Sequence, residues 1–140
     1  MADQADLEAQ LERVPLFGSL SRRQLRRMLD KATTTTHTPG QEITKEDLGS
    51  LAFHLVLTGS AEVSIRGKKV RVLGPGEYFG EISMIDGRPR SATVTAATGL
   101  TTLAVPHLAF QQVLHDDPEI ARQMLVQLCS RLREAEAESE

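Results

Sequence analysis

Apolar residues recur along this chain with two different periods, and the change between them sets its organisation. From Ala5 to Val14, Leu7, Leu11 and Val14 fall at spacings of four and three, which predicts an amphipathic helix. Val14-Pro15-Leu16-Phe17-Gly18 breaks that helix. Ser21-Arg22-Arg23-Gln24 then reads as a capping box, Ser21 at the N-cap and Gln24 reaching back. The second helix turns Leu25, Met28 and Leu29 inward and Arg22, Arg23, Arg26 and Arg27 mostly outward. That basic run is either a docking site for an acidic partner or a solvated face.

At Thr33 the period shortens to two. Thr33 to Thr38 is β-branched and polar, which suits an outer strand, and Pro39-Gly40 makes a turn before a short strand around Ile43, Gln41 to Lys45. Ala52 to Thr58 sets Phe53, Leu55 and Leu57 against His54, Val56 and Thr58. Further strands follow around Val63 and Ile65, over Lys69 to Leu73, at Ala92-Val94-Ala96 and at Leu103-Val105. Short, evenly spaced strands punctuated by glycines predict a small antiparallel β-roll of jelly-roll type. Helical spacing then returns. Pro106 suits a helix N1 position, and Leu108, Phe110, Val113 and Leu114 give an apolar side. Asp117-Pro118 opens a last helix with the stripe Ile120, Met124, Leu125, Leu128 and Leu132, ending near Arg133, with Glu134 to Glu140 fraying. The fold class is thus mainly β with flanking helices, one domain over 1–140: helices in 1–32, the roll in 33–105, helices in 106–137.

Composition removes several alternatives. The 140 residues suit about one domain, and the 40% apolar and 25% charged content is ordinary for a soluble globular protein. A net charge of −3 offers no overall field to draw nucleic acid or an anionic membrane. Four phenylalanines, one tyrosine and no tryptophan give no platform for stacking single-stranded nucleic acid. The lone Cys129 excludes an intramolecular disulfide framework or an iron–sulfur cluster and fits a reducing cytoplasm. Nothing reads as a signal peptide or membrane span. His37, His54, His107 and His115 are scattered, without the His-x-His pair a cupin-type metalloenzyme needs. No nucleophile motif or Walker loop is present, so the chain reads as a binder rather than an enzyme, without cofactor.

The chemistry concentrates between Gly76 and Ala97. Gly76 and Gly80 make a tight turn into one or two helical turns, Glu81 to Asp86, before Gly87 and Pro89 reverse the chain and deliver Arg90 to a strand. A helix start gathers unpaired N–H groups, where an anion settles. Gly80 lets a ligand approach the backbone, and Arg90 offers a planar fork to two oxygens of one phosphate. The single arginine suits a monoanionic phosphate. Glu81 accepts from hydroxyls, as a ribose would offer, and Ser91 and Ala92 are small enough for a ligand to lie close.

The runs Phe79-Gly-Glu-Ile-Ser and Pro89-Arg-Ser-Ala-Thr-Val resemble the phosphate-binding cassette of the cyclic nucleotide-binding domain family, the β-roll module of the bacterial catabolite activator, protein kinase A regulatory subunits and nucleotide-gated channels. The resemblance implies that Arg90 pairs with the cyclic phosphate and that Glu81 takes the ribose 2′-hydroxyl. It implies that backbone groups of Gly80, Ile82, Ser83 and Ala92 complete the cradle. It further implies a terminal helix that closes on the base. By their place on that helix Arg131, about a turn past Leu128, or Leu128 or Leu132 is the candidate cap. The alternative is a solvated arginine and leucines of a core or dimer seam. Ser91 after the arginine favours cAMP, with cGMP the alternative. Asp47 stands where the family usually has glycine. The same helix is a dimer contact in the catabolite activator, so a homodimer and a protein effector are the partners implied. The chain stops at Glu140 without a helix-turn-helix, which favours a stand-alone receptor or regulatory subunit over the sensor part of a transcription factor.

Overall fold

The computed structural model of the chain describes residues 3–43, 51–89 and 92–139. They form two compact units, one from Lys31 to Gln111 and one joining the residues up to Asp30 with those from Gln112 onward.

The first unit is the β-roll. Its strands are β1 (Thr33–His37), β2 (Ala52–Thr58), β3 (Ala61–Ile65), β4 (Lys68–Leu73), β5 (Tyr78–Phe79), β6 (Ala92–Ala96) and β7 (Leu100–Pro106). Among the described residues they make an antiparallel sheet in the order β1-β7-β2-β5 and another in the order β4-β3-β6. β1 is an outer strand, as its threonine run predicts. Both sheets turn apolar side chains into one core: Val56, Phe79 and Leu100 from the first, Ala61, Val63, Leu73, Val94 and Ala96 from the second, with Ile43 between strands. The predicted strand around Ile43 is represented by a single bridge, Glu42 to Thr95; its end, and the loop containing Asp47, lie outside the described residues.

β2 departs from the predicted alternation. Every residue from Ala52 to Val56 is buried, so both faces of the strand are covered and His54 is interior. A half-solvated strand alternates, whereas a strand covered on both sides reads as a run. His54 is accommodated by a hydrogen bond of 2.8 Å between its Nδ1 and the Thr102 hydroxyl on β7 and by stacking on Phe79, centroids 4.8 Å apart.

The second unit is helical: α1 (Gln4–Glu12), a 3₁₀ turn (Pro15–Phe17), α2 (Arg22–Asp30), the end of α4 (His107–Asp116) and α5 (Pro118–Ser139). The capping box forms as predicted, with the Gln24 amide donating to Ser21 Oγ at 3.2 Å and the Ser21 amide donating to Gln24 Oε1 at 2.8 Å. The basic run of α2 is not a free cationic face. Arg26 donates to the buried Glu8 at 3.0 Å, Arg22 lies 3.8 Å from the same carboxylate, and Arg27 lies 3.4 Å from Asp117. A carboxylate as buried as Glu8 needs such partners.

Two apolar expectations are corrected in the C-terminal helices. In α4, Phe110 and Val113 are buried but Leu108 is exposed. In α5, Ile120 and Met124 are buried, whereas Leu125 and Leu132 are exposed and Leu128 is half-buried. The stripe is thus fully buried over its first two turns and only partly covered at Leu128. α5 also continues through the acidic end to Ser139 instead of stopping near Arg133. Glu and Ala are strong helix formers, and their propensity outweighs the lack of an apolar anchor. Its 22 residues span about 33 Å at the standard rise. Among the described residues no helix is long and apolar enough to cross a membrane.

Candidate ligand site

α3 (Glu81–Asp86) is the short helix predicted from the glycine pattern, with the same bounds. Both ends are set by residues in the left-handed region: Gly80 before it at φ +84° and Gly87 after it at φ +69°. Gly80 is required by the packing of the cassette. A Cβ there would stand 2.1 Å from the Ala52 carbonyl oxygen, so the backbone of β2 itself approaches Gly80 closely. β2 therefore seats the cassette. Its register partner in that pairing, β5, leads straight into Gly80.

The seat positions a cavity of about 130 Å³ in the roll, small beside the several hundred cubic ångströms typical of ligand sites. A sugar phosphate fits that scale better than an entire nucleotide. Its walls are Leu51 and Ala52 of the β2 approach, Val63 and Val94 of the second sheet, Tyr78 and Phe79 of β5, and the cassette residues Gly80, Glu81 and Ser83. Pro89, Ala92 and Arg71 complete the lining. Four sequence-predicted residues thus share one hollow: Gly80, Glu81, Ser83 and Ala92. Ile82 does not line it and is exposed; its position on the outer side of a one-turn helix turns its side chain to solvent. Arg90 and Ser91 lie outside the described residues, between Pro89 and Ala92, which both line the cavity. Leu128, Arg131 and Leu132 are on α5 in the helical unit, Arg131 and Leu132 exposed.

Arg71 was not anticipated. It sits in β4 between Val70 and Val72, both exposed, and reads as a surface cation. The signal was the strand period: Arg71 pairs with Val63 and lies two residues from the buried Leu73, so it shares their side of the strand and borders the cavity while remaining exposed. The wall of the hollow therefore includes an exposed cation as well as Glu81. Among the described residues no group of three histidine, cysteine or acidic side chains is placed to hold a metal ion.

An antiparallel roll whose glycine-bounded helix presents a carboxylate, a buried serine hydroxyl and a small strand residue to one cavity defines a module for small polar ligands. The sequence profile of the cyclic nucleotide-binding domain family matches residues 34–117, and the chain belongs to that family. It is 37% identical over 114 residues to a cAMP-dependent protein kinase regulatory subunit of Eremothecium gossypii, covering 80% of this chain and 25% of that protein. A Yarrowia lipolytica protein of the same description is 35% identical over 106 residues, 74% of this chain and 28% of that one. The chain thus spans about a quarter of the length of these relatives. The N-terminal domain of a transcriptional regulator from Streptomyces coelicolor A3(2) superposes with a TM-score of 0.80 at 30% identity, over 90% of this chain and 94% of that chain.

Proposed function

We propose that this chain is a receptor module that binds cAMP and passes the binding event to a protein partner or a second copy, without turning the nucleotide over. The observation that carries this is the meeting of Glu81, Ser83, Pro89 and Ala92 in one hollow. In this reading the Arg90 guanidinium pairs with the cyclic phosphate and backbone N–H groups near Ser83 and Ala92 share its oxygens. Glu81 accepts from the ribose 2′-hydroxyl. The apolar base edge is left for α5, with Arg131, Leu128 or Leu132 covering it. A lid of this kind shifts its population only by the difference in ligand affinity between its two positions; about 2 kcal/mol gives roughly a 30-fold shift. The single exposed Cys129 fits work in a reducing compartment such as the cytoplasm.

Thermal denaturation with cAMP, cGMP and AMP tests the reading. A cyclic nucleotide at 100 times its dissociation constant should stabilise the fold by about 2.7 kcal/mol, with AMP far less effective. No stabilisation by either cyclic nucleotide, or hydrolysis of the nucleotide during the assay, would overturn it. The ribose contact is tested separately. Glu81→Ala should weaken cAMP by about 1.5–3 kcal/mol, the worth of a hydrogen bond to a charged group, and 2′-deoxy-cAMP much less. Equal losses for both ligands in calorimetric titrations would remove Glu81 from the ribose.

Arg71 supports cGMP as a second reading. A guanidinium donates to two acceptors at once, and the guanine edge offers O6 and N7 where adenine offers one acceptor and one donor. Arg71→Ala should then reduce cGMP affinity by about 1–3 kcal/mol and leave cAMP nearly unchanged. Parallel titration of the two nucleotides reads this directly, and equal affinities before and after the substitution would exclude a base contact.

A further inference from the structure

α3 has six residues, too few for a helix to persist on its own in water, so what holds its ends decides how often the cassette is formed. Gly87 closes the last turn by donating its N–H to the Ser83 carbonyl at 2.9 Å. The next carbonyl, Met84 O, has its partner on a distant element: the ring of His107, the first residue of α4, with Nδ1 at 2.7 Å. A carbonyl only accepts, so Nδ1 carries the proton in this contact. The ring lies against Gly87 so closely that a Cβ at that position would stand 2.7 Å from Nε2 and 3.0 Å from both Cε1 and Cδ2. The His107 backbone is itself pinned, its N–H donating to Leu51 O at 2.8 Å beside the cavity wall.

We infer that His107 is a positioning residue for the ligand cassette: its ring clamps the C-terminal end of α3 and so keeps Glu81 and Ser83 turned into the hollow. The inference rests on the cyclic nucleotide reading of that hollow. The side chain touches no ligand. It acts through the fraction of molecules in which α3 is formed, because a ligand that needs the formed cassette binds more weakly by that fraction. The same contact ties the cassette to the residue from which α4 starts. Loosening the cassette and releasing the first turn of α4 are therefore one event in this chain.

The experiment compares wild type with His107→Ala, His107→Asn and His107→Gln by three measurements. These are cAMP affinity by calorimetry, hydrogen exchange at the Met84 and Gly87 amides without nucleotide, and the thermal midpoint. Met84 and Gly87 donate to Gly80 O and Ser83 O, so their amides report α3 itself. Stranding the Met84 carbonyl should weaken cAMP about tenfold in His107→Ala, with protection of both amides falling in step. Asparagine places an amide N–H where Nδ1 stands and should restore both readouts; glutamine places it where Nε2 stands and should not. A merely structural role would lower the midpoint while leaving affinity and the asparagine–glutamine contrast flat, which would overturn the inference. Wild-type affinity in His107→Ala would overturn it too, as would weakened binding with unchanged amide protection. If His107→Ala does not fold, the asparagine–glutamine pair gives the same decision. If wild type binds neither cAMP nor cGMP, the cyclic nucleotide reading fails, while amide protection still confirms or refutes the clamp.

Discussion

Arg90→Ala is expected to weaken cAMP binding by about 3–5 kcal/mol, a loss of roughly a hundred- to several-thousand-fold. The size follows from what is stranded. A phosphate drawn into a small cavity gives up water, and the charge-assisted fork of a guanidinium is its principal compensation; without that partner a desolvated anion faces apolar walls and the Glu81 carboxylate. Arg71 lines the same hollow but lies on β4, across from Val63, and supplies no second fork on the cassette side. Arg90→Lys should recover only part of the loss, because a point charge replaces a planar pair of donors. Calorimetry at two salt concentrations gives the test. An affinity unchanged in Arg90→Ala would place the phosphate elsewhere and would redirect attention to Arg71.

What the sequence made legible was local. The capping box of α2 and the six residues of α3 between their glycines follow from contacts within four positions, and both appear with the predicted partners or bounds. So does the strand that carries Ala92 into the hollow. What it concealed was decided by residues distant along the chain. The arginines of α2 look like a surface patch until Glu8 and Asp117 are placed beside them. Gly80 suggests room for a ligand and lines the hollow, but that its missing Cβ also admits the carbonyl of Ala52 is visible only in the fold. Arg71 reads as a surface cation and is exposed, and only the pairing with Val63 places it at the rim of the cavity. The cassette motif carries the family because it is short-range; the place of Arg71 on the cavity wall and the His107 contact depend on register and topology, which no local pattern encodes.

Burial of His54 yields the other large effect, on stability rather than affinity. Desolvation, and secondarily the neighbouring His37, lowers its pKa from 6.5 to about 4, and burial lowers that of His37 as well. Among the described residues the groups facing the ring are the Thr102 hydroxyl, the face of Phe79 and, edge-on at 6.2 Å, His37, none of which is a carboxylate. A run of short contacts joins the two histidines: His54 Nδ1 to Thr102 Oγ1 at 2.8 Å, Thr102 Oγ1 to Thr35 Oγ1 at 2.8 Å, and Thr35 Oγ1 to His37 Nε2 at 3.0 Å. Each hydroxyl is already engaged on two sides, which leaves little capacity to stabilise an added proton. Because the folded-state pKa lies below the unfolded value, the unfolded chain takes up the proton first as pH falls. Stability is then complete above about pH 6.5, declines through the window down to about pH 4, and levels off below it. The displacement from 6.5 to about 4 corresponds to about 3 kcal/mol from His54 alone. Urea denaturation at pH 7.5 and at successive steps toward pH 4 should show that slope, and His54→Asn, which retains a polar partner for Thr102 but cannot titrate, should flatten most of it. An undiminished slope in the variant would assign the acid sensitivity to carboxylates instead. Because His54 stacks on Phe79, whose chain leads directly into Gly80, nucleotide affinity should fall over the same interval as the sheet beneath the cassette loosens.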